Sequence, residues 1–499
     1  MRRPLRNAAA VVGLTFLVAL ALLGLGRLAA TLTAHHMANR AATEQALLVS
    51  GKPLWHWDLR RPGDLVARRA FGHATVATSA NGLRVTSIDG STFELGLPTA
   101  RGVDLAHWPW LALGLASDAR GQLDVIWQPD MGPACIANAA TLPARNLRID
   151  LRRLHWRAAG RGYCELPANA QMLRLRITLP ARAGVTVSSA RLEADRPFTP
   201  QAQFDEVPRD PSQQAAFLST LAAGANAAPR IELPAGASAE QLLAWRDRIK
   251  ALRPAAIVVP GNELPRPRVI VGDPMWLGWL AALIYIGALA LMAIRRINGY
   301  SNHWLELLAC LLGPLWQIVG LQWGLHPTAP GLLTFVGALL FAALLQWREA
   351  SPTWHWIGDI TSLKAWMPVA TLPAAAALCV LWGHPLEPLI GRRALAYLGW
   401  ALLQQWLILG IALPRLERGL HGTALPILIA ALLFALMHTP NGVLMQLCLV
   451  AELWWAWCFT RSRSLLPVAV AHATSALLVG AGLADGVLRS LEVSARFFL

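Results

Sequence analysis

The stretch 424–482, ALPILIAALLFALMHTPNGVLMQLCLVAELWWAWCFTRSRSLLPVAVAHATSALLVGAG, decides the fold of this chain. It contains three apolar runs, at about 424–438, 442–459 and 465–482, each separated from the next by a few polar or turn-forming residues. About 20 apolar residues in an α-helix are enough to cross the roughly 30 Å hydrocarbon core of a bilayer. The stretch therefore predicts successive membrane-spanning helices.

Apolar segments of similar length occur elsewhere in the chain. They lie at about 8–30, 275–294, 304–324, 331–347, 366–383 and 394–413. The composition agrees, since 55% of the 499 residues are hydrophobic and the mean hydropathy is +0.42. We predict a multi-pass α-helical membrane protein with an eight-helix domain at 275–499 and an N-terminal membrane anchor at 1–34. The first run is long for a signal peptide and no A-x-A cleavage site follows it, so we favour an uncleaved anchor.

The basic residues, almost all of them arginine, flank the apolar runs. The net charge is +15, but this distribution is typical of membrane topology, so we expect membrane lipid as a partner and no nucleic acid. On the cytoplasmic side, the positive-inside rule places Arg2, Arg3, Arg6, Arg295, Arg296, Arg348, Lys364, Arg415, Arg418, Arg461 and Arg463. The predicted opposite loops at 325–330 and 439–441 have no Lys or Arg, whereas the loop at 384–393 is discordant because it carries Arg392 and Arg393. We predict a bacterial inner-membrane protein with a cytoplasmic N-terminus and residues 35–274 in the periplasm.

The long polar region reads as an exported, β-rich domain at 35–198. Alternating segments at 82–88, 122–127 and 172–178, bounded by turn residues, suit a sandwich-like fold. The segment 105–127 faintly resembles jelly-roll carbohydrate-binding modules, and that resemblance implies a glycan ligand. A linker and a small α/β appendix follow at 199–274. They are predicted to contain a helix at 239–252 and a strand at 255–259, and export would allow Cys135 and Cys164 to form a disulfide.

Few ionisable side chains lie within the apolar segments near the C-terminus. His438, Glu452 and His472 are the main ones, accompanied by the neutral amides Gln404, Gln405 and Gln446. A charged group at the centre of a membrane helix costs about 2.5–3.5 kcal/mol on insertion scales. Ionisable residues in these segments are therefore expected to have a structural or functional role. They predict a polar interior among the last helices. One alternative is purely structural, with the histidines as hydrogen-bonding groups that fix helix packing.

Three short patterns in the region 404–476 carry a resemblance to a known family. They are QQWLILGIALPRLER at 404–418, LLFALMH at 432–438 and RSRSLLPVAVAH at 461–472. Together these resemble the CAAX-protease-like (CPBP) family, which includes the type II CAAX prenyl endopeptidases. The family shows Glu-Glu-x-x-x-Arg, Phe-x-x-x-His and His-x-x-x-Asn on successive helices. The resemblance implies a catalytic cavity containing His438 and His472, with Phe434 packing beside it and Phe434 and Gln446 as binding residues.

The sequence departs from the family pattern at the groups that perform catalysis. Gln404 and Gln405 stand at the positions of the two glutamates, Leu409 at the arginine and Ala476 at the asparagine. In the family, the first glutamate is thought to activate water and the asparagine to assist the oxyanion. Loss of a general base costs about 10²–10⁴ in rate and loss of an oxyanion donor about 10²–10³. We therefore expect a degenerate protein that binds a helix, a lipid-linked ligand or a protein partner.

Two other functions stay open at this point. Glu452 is a candidate replacement for the missing catalytic carboxylate, which would make the protein an active intramembrane or CAAX-type endopeptidase. Alternatively, the exported domain performs the function, as a membrane-anchored envelope or glycan-binding protein. No H-E-x-x-H, G-x-S-x-G or P-loop pattern occurs in the sequence. We therefore predict neither a metal nor a cofactor.

Overall fold

The computed structural model divides the chain into two compact units. The helical unit comprises Met1–Thr33, Ser238–Gln241 and Ile270–Leu499, and the β-rich unit comprises Ala34–Ala237 and Leu242–Val269. The structure describes residues 2–99, 102–129, 132–158, 162–195, 204–224, 228–261, 275–297, 302–320, 328–349, 353–359, 361–386, 388 and 391–498.

The first helix, α1 (Arg2–Val49), is much longer than the apolar run that predicted it. The sequence from 31 to 49 continues the helix because it contains five Ala and three Leu and has no Gly or Pro. Gly51, with φ +68°, ends it. The Gly51 amide donates to the Leu48 carbonyl at 3.1 Å and the Lys52 amide to the Leu47 carbonyl at 2.9 Å. This pair of hydrogen bonds is the Schellman cap.

Nine strands of the β-rich unit form one connected sheet. They are β1 (His56–Asp58), β2 (Ala74–Ser79), β3 (Gly82–Ser87), β4 (Phe93–Leu97), β5 (Trp110–Gln128), β6 (Cys135–Asp150), β7 (Arg157–Ala158), β8 (Met172–Thr178) and β9 (Gly184–Glu193). The predicted strands at 82–88, 122–127 and 172–178 correspond to β3, the second half of β5, and β8. In β8 the apolar side chains alternate with arginines, and Leu173, Leu175 and Ile177 are fully buried.

The long strand β5 organises this sheet. One edge of β5 pairs with β6, while the other edge pairs first with β9, from Trp110 to Ala116, and then with β8, from Gln122 to Gln128. Register shifts between Leu113 and Asp124 bend the strand where it changes partner. The inward side chains of both halves belong to one core cluster. The β-rich fold predicted from the sequence is therefore confirmed, and its two halves share one continuous bent strand.

Cys135, at the start of β6, and Cys164 form a disulfide with a Cα–Cα distance of 6.3 Å. The bond closes a segment with a sequence separation of 29. The Cys135→Ala/Cys164→Ala double variant of the full-length protein is expected to lose about 3 kcal/mol of stability in the β-rich unit, because the unfolded chain gains the entropy of an open loop. Urea unfolding followed by limited proteolysis checks this. An unchanged midpoint would mean that the disulfide has no stabilising role.

The α/β appendix contains a three-stranded parallel sheet, ordered β10–β11–β12. Its elements are β10 (Asp205–Glu206), α2 (Pro211–Ala223), β11 (Arg230–Leu233), α3 (Ala239–Leu252) and β12 (Ile257–Pro260). Helix α3 has the predicted bounds, and the strand predicted at 255–259 is displaced slightly towards the C-terminus. The parts of the predicted linker at 199–203 and 262–274 lie outside the described residues.

In the described part of the helical unit, nine further α-helices follow. They are α4 (Met275–Ile297), α5 (His303–Leu315), α6 (Ala329–Trp347), α7 (Thr371–Trp382), α8 (Gly391–Gln405), α9 (Leu413–Gly419), α10 (Ala424–Leu436), α11 (Gly442–Ser462) and α12 (Leu466–Leu483). Within the described residues, seven helical segments are long and apolar enough to span a membrane, and α10 is a shorter apolar helix. The predicted multi-pass helical membrane fold is confirmed.

Three of the predicted apolar segments are not single regular helices. Helix α5 contains Pro314 and passes into a π-helical turn at Trp316–Gly320, and the rest of that predicted segment, 321–324, lies outside the described residues. A 3₁₀ helix at Leu363–Ala370 precedes α7. Another π-helical turn, Trp406–Ala412, joins α8 to α9. Such turns are frequent at functional sites.

Ion pairs connect the helix ends that the charge pattern assigned to the cytoplasm. Arg296 and Arg415 pair with Glu306 at 3.7 and 3.0 Å, Arg463 with Glu417 at 2.9 Å, and Arg418 with Glu349. These residues belong to the ends of α4, α6 and α11, the start of α5, and α9. The predicted cytoplasmic ends therefore lie at one end of the helical unit.

At the opposite end of the helical unit, hydrogen bonds from backbone and side-chain amides join the loops and helix ends to one another. Asn441 donates through Nδ2 to the Ser490 carbonyl at 2.7 Å, and the Ser494 amide donates to the Thr439 carbonyl at 2.8 Å. The His384 amide donates to the Gly482 carbonyl at 3.0 Å. The loop that begins at His384, which was discordant in charge, thus lies at the end away from the ion pairs.

Candidate functional site

A cavity of about 820 Å³ lies within the helical unit. Most of its described lining is apolar, from Ala, Leu, Val, Met, Phe and Trp side chains of several helices. The neutral polar residues in the described lining include Gln317, Thr371, Gln404, His438, His472 and Ser475. An apolar pocket with a few polar groups is the usual form of a small-molecule site.

His438 lies in the turn after α10, two residues beyond the end of that helix, and is held by a carbonyl of its last turn. Its Nδ1 lies 2.8 Å from the Phe434 carbonyl oxygen, one helical turn earlier. A carbonyl oxygen only accepts, so Nδ1 carries the proton and donates it. The His438 side chain is buried apart from the face that lines the cavity.

His472 lies in the first half of α12 and is enclosed by aromatic rings. The Phe434 ring packs between the two imidazoles, with centroid distances of 4.8 Å to His438 and 5.3 Å to His472. The Trp455 ring lies 5.1 Å from that of His472. The Phe-x-x-x-His spacing therefore has a physical basis, because Phe434 supports both rings and supplies the carbonyl that orients His438.

Glu452, in the middle of α11, contacts the amide of Gln405 at the end of α8. Gln405 donates through Nε2 to Glu452 Oε2 at 2.9 Å, and the same Nε2 lies 3.4 Å from Nδ1 of His472. Both Gln405 and Glu452 are completely buried and are absent from the described cavity lining. Glu452 therefore lies against Gln405, and neither side chain is part of the described cavity lining.

Gln404 and Gln405 face different surroundings although they are adjacent in sequence. Successive residues on an α-helix point about 100° apart, which follows from 3.6 residues per turn. Gln404 consequently lines the cavity together with His438 and His472, while Gln405 faces Glu452. Gln404 and Gln405, which the resemblance places together at the two glutamate positions, are therefore not equivalent in the structure.

The part of the chain that builds this cavity also matches a known family in sequence. Residues 387–478 match the family model described as type II CAAX prenyl endopeptidase Rce1-like. This segment is Rce1-like. The resemblance predicted from the three short patterns is confirmed over these residues, which we call the Rce1-like segment. It contains the candidate residues Gln404, Gln405, His438, Glu452 and His472.

Other comparisons add no argument about function. No curated protein matches the chain in sequence. A crystal structure of an agarase, AgWH50C, is similar over 34% of this chain and 32% of its own, with 11% identity and a TM-score of 0.22. The chain therefore spans about a third of that protein, and the TM-score is too low for a structural inference.

Ala476, at the position where the resemblance implies an asparagine, lines the cavity. It offers no hydrogen-bond donor. The neighbouring Ser475 also lines the cavity, and its hydroxyl lies 2.9 Å from that of Thr371. The Trp455 indole nitrogen donates to the Thr371 hydroxyl at 3.3 Å. The hydroxyls of this wall are therefore bonded to each other.

The two predicted binding residues have other contacts. Phe434 is completely buried between the imidazoles and is absent from the described lining, because its ring is needed for packing. Gln446 donates through Nε2 to the Leu22 carbonyl of α1 at 3.0 Å, so it connects two helices. Neither contacts the cavity in the described part of the structure.

Sequence reasoning missed Gln317, which lies in the π-helical turn after α5. It is 1% exposed and lines the cavity, and neither side-chain polar atom has a hydrogen-bond partner among the described residues. Its signal was an amide inside the apolar segment 304–324, which contains Gln317 and Gln322 in sequence. The C-terminal segment was also missed, since Glu492, Ser494 and Arg496 line the cavity although they follow the last predicted helix.

Proposed function

We propose that the helical unit is a catalytically degenerate relative of the Rce1-like endopeptidases that binds an amphiphilic membrane ligand in its cavity. The observation that carries this proposal is the position of Gln404. It occupies the place of the family's first glutamate and lines the cavity beside both histidines. An amide cannot accept a proton near neutral pH, so the two imidazoles have no carboxylate at the family position.

The charges of the described lining agree with a binding role. Its acidic residue, Glu492, lies in the C-terminal segment with a side chain that is 53% exposed and 3.7 Å from Arg496. An exposed carboxylate paired with arginine is a weak base. The remaining lining is apolar or neutral, which favours the binding of an apolar chain with a small polar group.

The alternative, an active endopeptidase that uses Glu452, has less support. A general base must lie within about 2.6–3.2 Å of the proton that it removes, directly or through one water. Glu452 is fully buried and its described polar contact is Gln405. Glu452 is not part of the described cavity lining, so it does not contact water in the cavity directly.

We also propose that the end of the helical unit that carries the ion pairs faces the cytoplasm and that residues 35–274 lie in the periplasm of a bacterium. The arginine-rich ends of α4, α9 and α11 support this orientation through the positive-inside rule. The disulfide between Cys135 and Cys164 supports an oxidising compartment for the β-rich unit.

The wild-type protein is expected not to cleave a fluorogenic CAAX-type peptide above the rate of a protein-free control. The missing base and the missing oxyanion donor lower the rate by about 10²–10⁴ and 10²–10³, respectively. The measurement uses folded full-length protein in lipid nanodiscs, with His438→Ala and His472→Ala as matched controls. Cleavage that either histidine change abolishes would contradict the proposed degeneracy and would make Glu452 the residue to test next.

A further inference from the structure

The hydrogen bond of His438 fixes which of its ring nitrogens faces the cavity as an acceptor. Nδ1 donates to the Phe434 carbonyl, so a neutral ring carries no proton on Nε2. Nε2 has no hydrogen-bond partner among the described residues, and the ring lines the cavity. His438 therefore presents a lone pair to the cavity.

The contacts of Gln405 and Glu452 give His472 the opposite hydrogen-bonding role, so that it presents a donor to the cavity where His438 presents an acceptor. The amide nitrogen of Gln405 faces Glu452, to whose Oε2 it donates at 2.9 Å. The same nitrogen has a second proton, directed at Nδ1 of His472 at 3.4 Å. Nδ1 must then accept, which leaves the His472 proton on Nε2. Nε2 also has no partner within the described chain, so His472 presents an N–H donor to the cavity.

We infer that His438 and His472 form a donor–acceptor pair that binds a neutral carboxamide on an apolar chain, and that Glu452, acting through Gln405, is the positioning residue that sets this polarity. The inference rests on the proposed function and names the chemistry of its ligand. A carboxamide supplies an N–H for His438 and a carbonyl oxygen for His472. A free carboxylate has no proton for His438, and Arg496, the cationic side chain of the described lining, already lies 3.7 Å from Glu492.

Two further amides support a neutral ligand. Gln317 is buried with both polar atoms unpartnered in the described part of the chain, and it lines the same cavity. A buried amide left without partners costs about 1–3 kcal/mol, so its presence here points to a ligand group that fills both of its bonds. Gln404 adds a second amide to the lining. Amides bind other amides through paired N–H and carbonyl groups, without any change in charge.

The test is magic-angle-spinning NMR of the full-length protein in lipid bilayers, labelled with ¹³C,¹⁵N-histidine. The chain has 13 histidines, and His438→Ala and His472→Ala assign the two signals by their disappearance. The expected result is Nδ1–H for His438 and Nε2–H for His472. Glu452→Leu is expected to give His472 a mixture of both tautomers and to leave His438 unchanged, whereas Glu452→Gln, which keeps an acceptor oxygen, restores the single tautomer.

In the same NMR experiment, ligand binding is tested with decanamide and decanoate, two probes of equal chain length. Decanamide is expected to shift both assigned signals, with affinity roughly tenfold or more above that of decanoate, because a carboxylate has no proton to donate to Nε2 of His438 and is costly to bury. Equal tautomers at the two rings, or tighter binding of decanoate, would overturn the inference. If the two histidines have opposite tautomers but neither probe shifts their signals, the assigned donor and acceptor roles would stand. The proposed binding of amphiphiles would then be contradicted.

Discussion

Exchange of Gln404 for glutamate is expected to create cleavage of a CAAX-type peptide, whereas the same exchange at Gln405 is expected to create none. Gln404 lines the cavity with His438 and His472, so a carboxylate there can accept a proton from water beside the imidazoles. A positioned general base contributes about 10²–10⁴ in rate. Gln405 lies 2.9 Å from Glu452 and is absent from the described lining, so a carboxyl group at 405 would face a second carboxyl group in a closed space.

The assay compares the two glutamate variants with wild type in nanodiscs at equal amounts of folded protein. The Gln404→Glu/His438→Ala double variant is the control, and it should return to the wild-type background. Addition of Ala476→Asn to Gln404→Glu restores the second lost group and is expected to raise the rate by a further factor of about 10²–10³. Equal activity of the two glutamate variants would show that lining the cavity does not distinguish position 404 from position 405 in catalysis.

The helices could be predicted from the sequence because apolar length is a local property. A run such as 442–459 must be a helix in lipid, where each backbone group needs an internal partner, and α11 follows it closely. The π-helical turns at Trp316–Gly320 and Trp406–Ala412 could not be predicted, because one extra residue per turn leaves an apolar pattern unchanged.

Strand β5 shows the corresponding limit in the β-rich unit. Residues 122–127 alternate and were recognised, but the strand begins at Trp110, and the stretch SDARG between the halves reads as a turn. Strand β6 pairs with Ser117 and Gly121 at the two ends of this stretch, and β9 and β8 pair with β5 immediately before and after it. Long-range pairing overrode a local turn signal.

Within the site, the sequence could predict the residues but not their arrangement. His438 and His472 followed from motif order. The contact between Gln405 and Glu452 joins residues 47 positions apart on different helices, and no local pattern encodes it. The sequence suggested Glu452 as a replacement base, whereas its hydrogen bond to Gln405 indicates a supporting role behind His472.

Removal of Arg415 is expected to destabilise the helical unit strongly. Arg415, in α9, is fully buried, and its Nε donates to Glu306 of α5 at 3.0 Å while Nη1 donates to the Ile411 carbonyl at 2.8 Å. Loss of one member of a buried ion pair costs about 3–5 kcal/mol, because the other charge stays buried without compensation. Arg415→Leu should therefore lower the thermal unfolding midpoint of the purified protein markedly in scanning fluorimetry.

Arg418→Leu is the matched control for this prediction. Arg418 lies on the same short helix and pairs with Glu349, but its side chain is 30% exposed. Partly exposed pairs contribute about 0–1 kcal/mol, so this change should have a small effect. A shift for Arg415→Leu no larger than that for Arg418→Leu would argue against a structural role for the buried pair.

The Glu306→Leu/Arg415→Leu double variant separates the cost of an unpaired charge from the value of the pair itself. Replacement of a whole buried pair by apolar residues is often neutral or stabilising, so the double variant should be more stable than Glu306→Leu alone. Glu306→Leu leaves the buried guanidinium of Arg415 without its carboxylate, and Nη2 of Arg415 already has no partner among the described residues. Arg415→Leu leaves Glu306 with Arg296 at 3.7 Å, which compensates part of its charge. The expected order of stability is therefore double variant, then Arg415→Leu, then Glu306→Leu.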